Sequence, residues 1–175
     1  GCGIESVVLV DAQIDHTTGL YMLREKGSPW PIWTTDPVYE DLTRGNPILH
    51  LLDHYCGIDR QPLPLDGRSF HPQGSASLDW YAMPLLSAAP PYSPHRGNPV
   101  PGDNIGLSIR DPASGKRVFY APGLAEVDDA VFDAMSGADC VMVDGTFWTD
   151  DEMITMGLSA KRARDIGHLA QSGPG

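Results

Sequence analysis

The chain has 175 residues, with 12 Lys and Arg against 23 Asp and Glu, and so a formal net charge of −11 with neutral histidines. Hydrophobic residues supply 41% and charged residues only 20%, which is enough apolar material for a packed core and the wrong composition for an acidic disordered tail. The negative balance, with no run of Lys or Arg, excludes a phosphate backbone or an anionic membrane surface as the main partner.

Gly (19) and Pro (16) punctuate the chain into many short elements, and their alternation predicts an α/β domain over 1–175. Residues 6–10, with Val7-Val8-Leu9-Val10, read as a buried strand because a continuous apolar run leaves no solvent face. After a polar turn, Thr17 or Thr18 is expected to cap a short helix carrying Leu20, Met22 and Leu23 up to Gly27. A strand over 31–35 follows, then a helix begun by Pro37 and ended at Gly45, then a third helix from Pro47 to Tyr55 that stops at Gly57. Strands are expected over 61–65, 69–73 and 77–86 as a meander turned at Asp66-Gly67. Residues 87–103 hold five prolines and no periodicity, the composition of a functional loop. A hairpin of 105–109 and 117–120 about Ser114-Gly115 precedes an amphipathic helix over 126–135, with Val127, Ala130, Val131 and Met135 on one face. Cys140-Val141-Met142-Val143 reads as a last buried strand.

The cysteines, Cys2, Cys56 and Cys140, are odd in number and form no CxxC pair, which points to a reducing compartment, the cytoplasm. No apolar run approaches the roughly 20 residues of a membrane-spanning helix, so membrane insertion is not expected. The chain enters its first strand almost at once and closes on turn residues, as expected of an excerpt from a longer polypeptide.

The densest chemistry lies in Asp11-Ala12-Gln13-Ile14-Asp15-His16, where a strand delivers carboxylates, an amide and an imidazole to the start of a helix. Asp15 and His16 are adjacent oxygen and nitrogen donors suited to a transition metal, although a helix cap beside a solvated histidine is the plainer account. His50 and His54, with Asp53, imitate an inverted zinc-protease motif; a helix with Leu49, Leu52 and Tyr55 inward explains them more simply. In the proline-rich loop, Tyr92, His95 and Arg96 either close over an aromatic, carboxylated ligand or belong to a rigid surface loop. Asp144, at the end of the last strand, either orients His16 or caps a turn. His168, after a helix containing Lys161, Arg162 and Arg164, either approaches the site or answers a helix dipole.

The stretch 11–16 resembles the metal-binding loop of the metallo-β-lactamase fold, His-x-His-x-Asp-His after a buried strand. Taken with the motifs at 11–20, 87–95, 119–123, 143–148 and 167–175, the chain resembles, over nearly its whole length, the coenzyme PQQ synthesis B family of that superfamily. The resemblance implies an αββα sandwich of two mixed sheets flanked by helices, incomplete at both ends. Asp11 and Gln13 stand where the superfamily has its two leading histidines, Ser87 where it has a third, and the bridging aspartate expected near 120–123 is absent. Those losses disfavour a binuclear zinc hydrolase. Asp15 and His16 remain as implied ligands and catalytic residues of a mononuclear iron(II) centre of the carboxylate and two-histidine type. Asp11, Gln13, Tyr92, His95, Arg96, Asp144 and His168 are candidates to support the metal or bind substrate. In the family, a further histidine in a His-Ile-Asn-Asn-Thr-Asn stretch and a Cys-x-Cys-x-x-Cys structural zinc motif lie outside this segment, so the segment alone is expected to be inactive.

The implied function is a step of pyrroloquinoline quinone (PQQ) biosynthesis, iron- and oxygen-dependent hydroxylation of the tyrosine ring in a Glu-Tyr-derived precursor. The alternative is a carrier that takes PQQ or its precursor toward the periplasm. A carrier for a tricarboxylate needs clustered cations, and the central region offers Arg96, Lys116 and Arg117. The expected partners are the peptide-derived precursor, other proteins of the pathway and a second copy in a homodimer, with no nucleic acid.

Overall fold

Among the described residues, seven strands, β1 (Val7–Val8), β2 (Trp30–Thr34), β3 (Ile58–Pro62), β4 (Asp79–Pro84), β5 (Ile105–Arg110), β6 (Arg117–Ala121) and β7 (Cys140–Val143), divide between two sheets. A computed structural model of the chain describes residues 3–25 and 27–173; Cys2, counted among the three cysteines, lies outside the described residues. The first sheet is parallel, in the order β1-β2-β3, and each crossover is helical, as parallel pairing requires. Helix α1 (Ile14–Thr17) and a 3-10 turn (Thr18–Leu23) join β1 to β2. Helices α2 (Asp36–Glu40) and α3 (Ile48–Asp53) join β2 to β3. The second sheet runs β4-β5-β6-β7, antiparallel through β6 and parallel between β6 and β7, with α4 (Asp129–Ser136) as the last crossover.

Period-two alternation distributes each strand's side chains between layers. Leu9, Trp30 and Ile32 turn outward onto Val38, Leu42, Leu49 and Leu52 of the helical layer. Val10 turns inward, with Ala82, Ile105 and Leu107, to fill the space between the sheets. Phe119 and Ala121 turn to the far side, where Val131 of α4 packs. Helix, sheet, sheet, helix is the result, an αββα sandwich. A backbone bridge between Asp11 and Asn104, and Ile105 N–H donating to Val10 C=O at 2.9 Å, tie the two sheets at the end of β1.

The structure differs from the sequence expectation in several places. Residues 61–65 do not start a meander: β3 begins at Ile58 and pairs parallel with β2, and Asp66 accepts the Arg68 N–H and Nε–H within a local turn. Residues 69–73 contribute one bridge, Phe70 to Trp80. Neither Thr17 nor Thr18 caps the first helix, which begins at Ile14; both hydroxyls donate back to carbonyls of residues 13 and 14. Helix α4 starts after an Asp128 cap, so Val127 precedes it and is 37% exposed. Tyr55 is exposed rather than inward. β7 is exposed along its whole length, because it is the edge of its sheet. No long helix precedes His168; a single 3-10 turn (Arg164–Ile166) does, ending at Gly167 with φ +89°.

Phe119, fully buried between β5 and α4, leaves no room for a side chain at Gly106, where a Cβ would lie 3.0 Å from the Phe119 ring. Gly106→Val is therefore expected to overpack this layer and cost about 1–3 kcal/mol, read from chemical denaturation midpoints.

Candidate functional site

β1 runs antiparallel to β5 through the Asp11–Asn104 bridge, and β4 and β6 run antiparallel to the same strand. The carboxyl ends of β1, β4, β6 and β7 therefore share one rim, where strand-end loops gather around ligands. A cleft of about 250 Å³ opens there, lined by Gln13, Asp15 and His16 after β1, Ser87 and Ala88 after β4, Gly123 after β6 and Asp144 after β7, with Arg96 and His168 also in its wall.

The geometry is built on Asp11. Its carboxylate, 1% exposed, accepts from His16 Nδ1 through both oxygens at 2.9 and 2.8 Å and from the Gln13 N–H at 2.9 Å. That bond, helped by the neighbouring negative charges of Asp11, Asp15 and Asp144, holds the His16 imidazole above its ordinary pKa against the opposing effect of burial. With Nδ1 engaged, Nε2 is the free ring nitrogen, and it lies 3.8 Å from Asp15 Oδ2. The Asp15 side chain is 84% exposed and the His16 side chain 32%. Gln13 Nε2 donates to the Ala88 carbonyl at 3.4 Å, fixing the amide across the cleft.

A carboxylate behind an imidazole whose second nitrogen is free is the supporting arrangement typical of a metal-binding histidine. Asp15 and His16 fit two positions of a coordination sphere. Among the described residues no third His, Cys, Asp or Glu completes a cluster with them.

Asp144 does not orient His16; it binds His168 Nδ1 at 2.5 Å. His168 reaches the cleft because left-handed Gly167 turns the chain into it. Arg96 lines the cleft while its Nη1 donates to the Ala89 carbonyl at 2.5 Å. Tyr92 is not available to stack on a ligand: its hydroxyl donates to the Ala12 carbonyl, its ring packs on Gly45, and burial pushes its pKa up to about 12. His95 also turns away from the cleft and binds buried Asp103 at 3.0 Å. His50 pairs with Asp53 at 3.6 Å on the exposed face of α3, in keeping with the simpler account of that motif.

His95 and Asp103 instead anchor the proline-rich loop. The Asp103 hydrogen bond holds the His95 imidazole above its ordinary pKa, against desolvation and with Asp41 and Glu40 nearby. A raised folded-state value means that this stabilisation is complete below the ordinary imidazole pKa and is lost as pH rises through the folded value. Unfolding free energies measured from mildly acid to mildly alkaline pH are expected to fall across that window, and His95→Gln is expected to flatten the fall.

Two residues that the sequence did not single out shape the site. Asn104, 2% exposed, donates through Nδ2 to the Ser87 and Ala88 carbonyls at 3.2 and 3.3 Å and fixes the loop opposite Asp11. Nothing local marks it, because its position depends on the bridge to residue 11. At Gly123, a Cβ would lie 3.2 Å from Asn104 Oδ1 and 3.3 Å from Asp11 Oδ2. Asp11 thus occupies the neighbourhood into which a carboxylate at 123 would project. Gly123→Asp is expected to destabilise the chain by about 1–3 kcal/mol through crowding and like-charge contact, measured by denaturation.

The model of the Beta-lactamase superfamily domain matches residues 2–173. Coenzyme PQQ synthesis protein B of a Methylobacillus flagellatus strain is 59% identical over 174 residues, covering 99% of this chain and 57% of that protein. The protein of the same description from Azoarcus sp. strain BH72 is 58% identical, covering 98% and 56%. The chain therefore spans a little over half the length of these relatives. The crystal structure of Zn(2+)-bound PqqB from Methylobacterium extorquens is similar with a TM-score of 0.82 at 25% identity, over 99% of this chain and 57% of that one. Human tRNase Z, short form, shares the fold with a TM-score of 0.59 at 16% identity, over 96% and 64%. A family-model match across residues 2–173 and a shared fold place the chain in the β-lactamase superfamily, with its similarity there to the coenzyme PQQ synthesis B proteins.

Proposed function

We propose that the full-length protein takes part in PQQ biosynthesis and that this segment supplies two ligands, Asp15 and His16, of a mononuclear metal centre. The observation that carries the reading is His16, whose Nδ1 is held by buried Asp11 and whose Nε2 is left free beside Asp15. Similarity to the PQQ synthesis B proteins, one of them solved with zinc bound, supports both the pathway and a metal.

Iron(II) is the proposed native metal, because one carboxylate with imidazoles, leaving open positions, suits dioxygen chemistry. Bound iron would activate dioxygen, which with two electrons from an added reductant would place one oxygen atom on the tyrosine ring of a Glu-Tyr-derived precursor and leave the other as water. In this chain, Asp11 orients His16, and the Gln13 and Arg96 side chains shape the wall against which the substrate lies. The third ligand is proposed to come from the remainder of the protein. The odd cysteine count, with Cys56 buried and Cys140 exposed as free thiols, suits a cytoplasmic setting; among the described residues no helix is long and apolar enough to cross a membrane.

The carrier reading finds less support, since among the described residues Arg96 is the one Lys or Arg in the cleft lining and its guanidinium is already bound to a carbonyl. The test is incubation of full-length protein with iron(II), dioxygen, a reductant such as ascorbate and a Glu-Tyr precursor, followed by mass analysis. Ring hydroxylation that disappears in Asp15→Ala and His16→Ala supports the reading; hydroxylation that persists in both overturns it. PQQ binding without turnover would favour the carrier.

A further inference from the structure

The cleft holds a second carboxylate and imidazole pair, and its surroundings differ from those of the first. His168 Nδ1 lies 2.5 Å from Asp144 Oδ2. Asp144 is itself fixed, accepting from the Thr146 N–H at 3.0 Å and the Thr146 hydroxyl at 2.6 Å, and its side chain is 9% exposed. The His168 ring stands edge-on to Phe147, with centroids 5.4 Å apart and planes at 76°. Left-handed Gly167, packed against Ser87, aims it. Position and tautomer are therefore both set, while the His168 side chain remains 34% exposed.

The two imidazoles differ at Nε2. In His16 that nitrogen faces a second carboxylate, Asp15, and the pair suits a cation. In His168 no ion pair among the described residues engages Nε2, whose ring has its carboxylate on the Nδ1 side only. A free imidazole nitrogen backed by one carboxylate suits a proton donor on the ligand.

We propose that His168 accepts the proton of an acidic hydroxyl, a phenol or catechol, on a ligand bound in this cleft, with Asp144 as the residue that positions its ring. This deepens the functional reading above and rests on it for the identity of the natural ligand. In the step, the ligand O–H bond breaks, its electron pair stays on oxygen, and the proton forms a bond to Nε2. The imidazolium so formed lies against Asp144. The phenolate is then held by a charge-assisted hydrogen bond, stronger than one between neutral groups. A ligand larger than one ring has further space, because His168 also borders an adjoining cleft of about 680 Å³.

The charged groups facing this position are Asp15, His16, Asp144 and Arg96 in the first cleft, and Glu126, Asp150, Asp151 and Arg164 in the second. The test uses 4-nitrophenol, whose anion is coloured, titrated into full-length protein dialysed against a chelator. The bound probe is expected to ionise at a pH lower than the free probe by roughly one unit, the effect of about a tenfold preference for the anion. His168→Gln and His168→Ala should abolish the shift and Asp144→Asn should diminish it, in variants whose thermal melts match the wild type. His50→Ala, on the exposed face of α3, should leave it in place, and because the protein is metal-depleted the metal assignment can fail without affecting this result. No shift in the wild type overturns the proposal. So does a shift that survives in both His168 variants, or one that is lost in Arg96→Ala while His168→Ala retains it.

Discussion

Asp11→Asn is expected to weaken metal binding by the full-length protein about 10- to 100-fold, although Asp11 is not a ligand in the proposed centre. Asp11 binds His16 Nδ1 through both carboxylate oxygens, and that contact leaves Nε2 as the free nitrogen. An amide of the same shape keeps an acceptor for the Gln13 N–H but offers His16 one oxygen and no charge. The ring then loses both its orientation and the negative charge behind it. Asp11→Ala goes further, stranding the Gln13 N–H and His16 Nδ1 in a site where Asp11 is 1% exposed, and should cost about 1–3 kcal/mol of stability as well. Isothermal titration with iron(II) under anaerobic conditions separates the two effects when denaturation curves are taken on the same samples. Unchanged affinity in Asp11→Asn would show that His16 is not organised by this carboxylate.

Phe119→Ala is expected to have the largest effect on folding, about 3–5 kcal/mol, measured as a lower urea midpoint with an unchanged slope. Its ring is fully buried against Leu85, Leu124 and Val131, and its strand neighbour Gly106 has no side chain to move into the space left behind. The cavity cannot close by local adjustment, so the loss should lie at the upper end for an aromatic. Against a total stability of about 5–15 kcal/mol for a domain, that is a large share. The site should suffer with it, since β6 pairs with β7 and together they deliver Gly123 and Asp144 to the cleft. A loss near 0.5 kcal/mol, the size seen at surface positions, would contradict the packing described.

The strand and polar turn around Asp11 to His16 are legible in the sequence because both are local, whereas the helix starts at Ile14, inside the expected turn, and not after Thr17 or Thr18. Sheet membership is not legible. Asp66-Gly67 is a sound turn signal and does make a turn, but a turn does not say whether its flanking strands pair with each other, and β3 pairs with β2. The partner of Asp144 was also hidden, because 24 residues separate it from His168 and the approach depends on one left-handed glycine. Tyr92 and His95 sit in a loop that does border the cleft through Pro91 and Arg96, yet both side chains turn to buried partners on the other side, a choice made by Ala12, Gly45 and Asp103. Composition indicated β7 as buried, since its residues are apolar; its place at the sheet edge makes it exposed.

Anaerobic iron(II) titration of full-length protein is the direct test of the proposal that Asp15 and His16 are metal ligands. The wild type should take up metal at a site whose affinity falls in Asp15→Ala and in His16→Ala by more than the roughly 10- to 100-fold expected for a supporting hydrogen bond, while His50→Ala on the exposed face of α3 and His54→Ala just after that helix leave it unchanged. Wild-type affinity in both Asp15→Ala and His16→Ala would show that neither residue holds the metal.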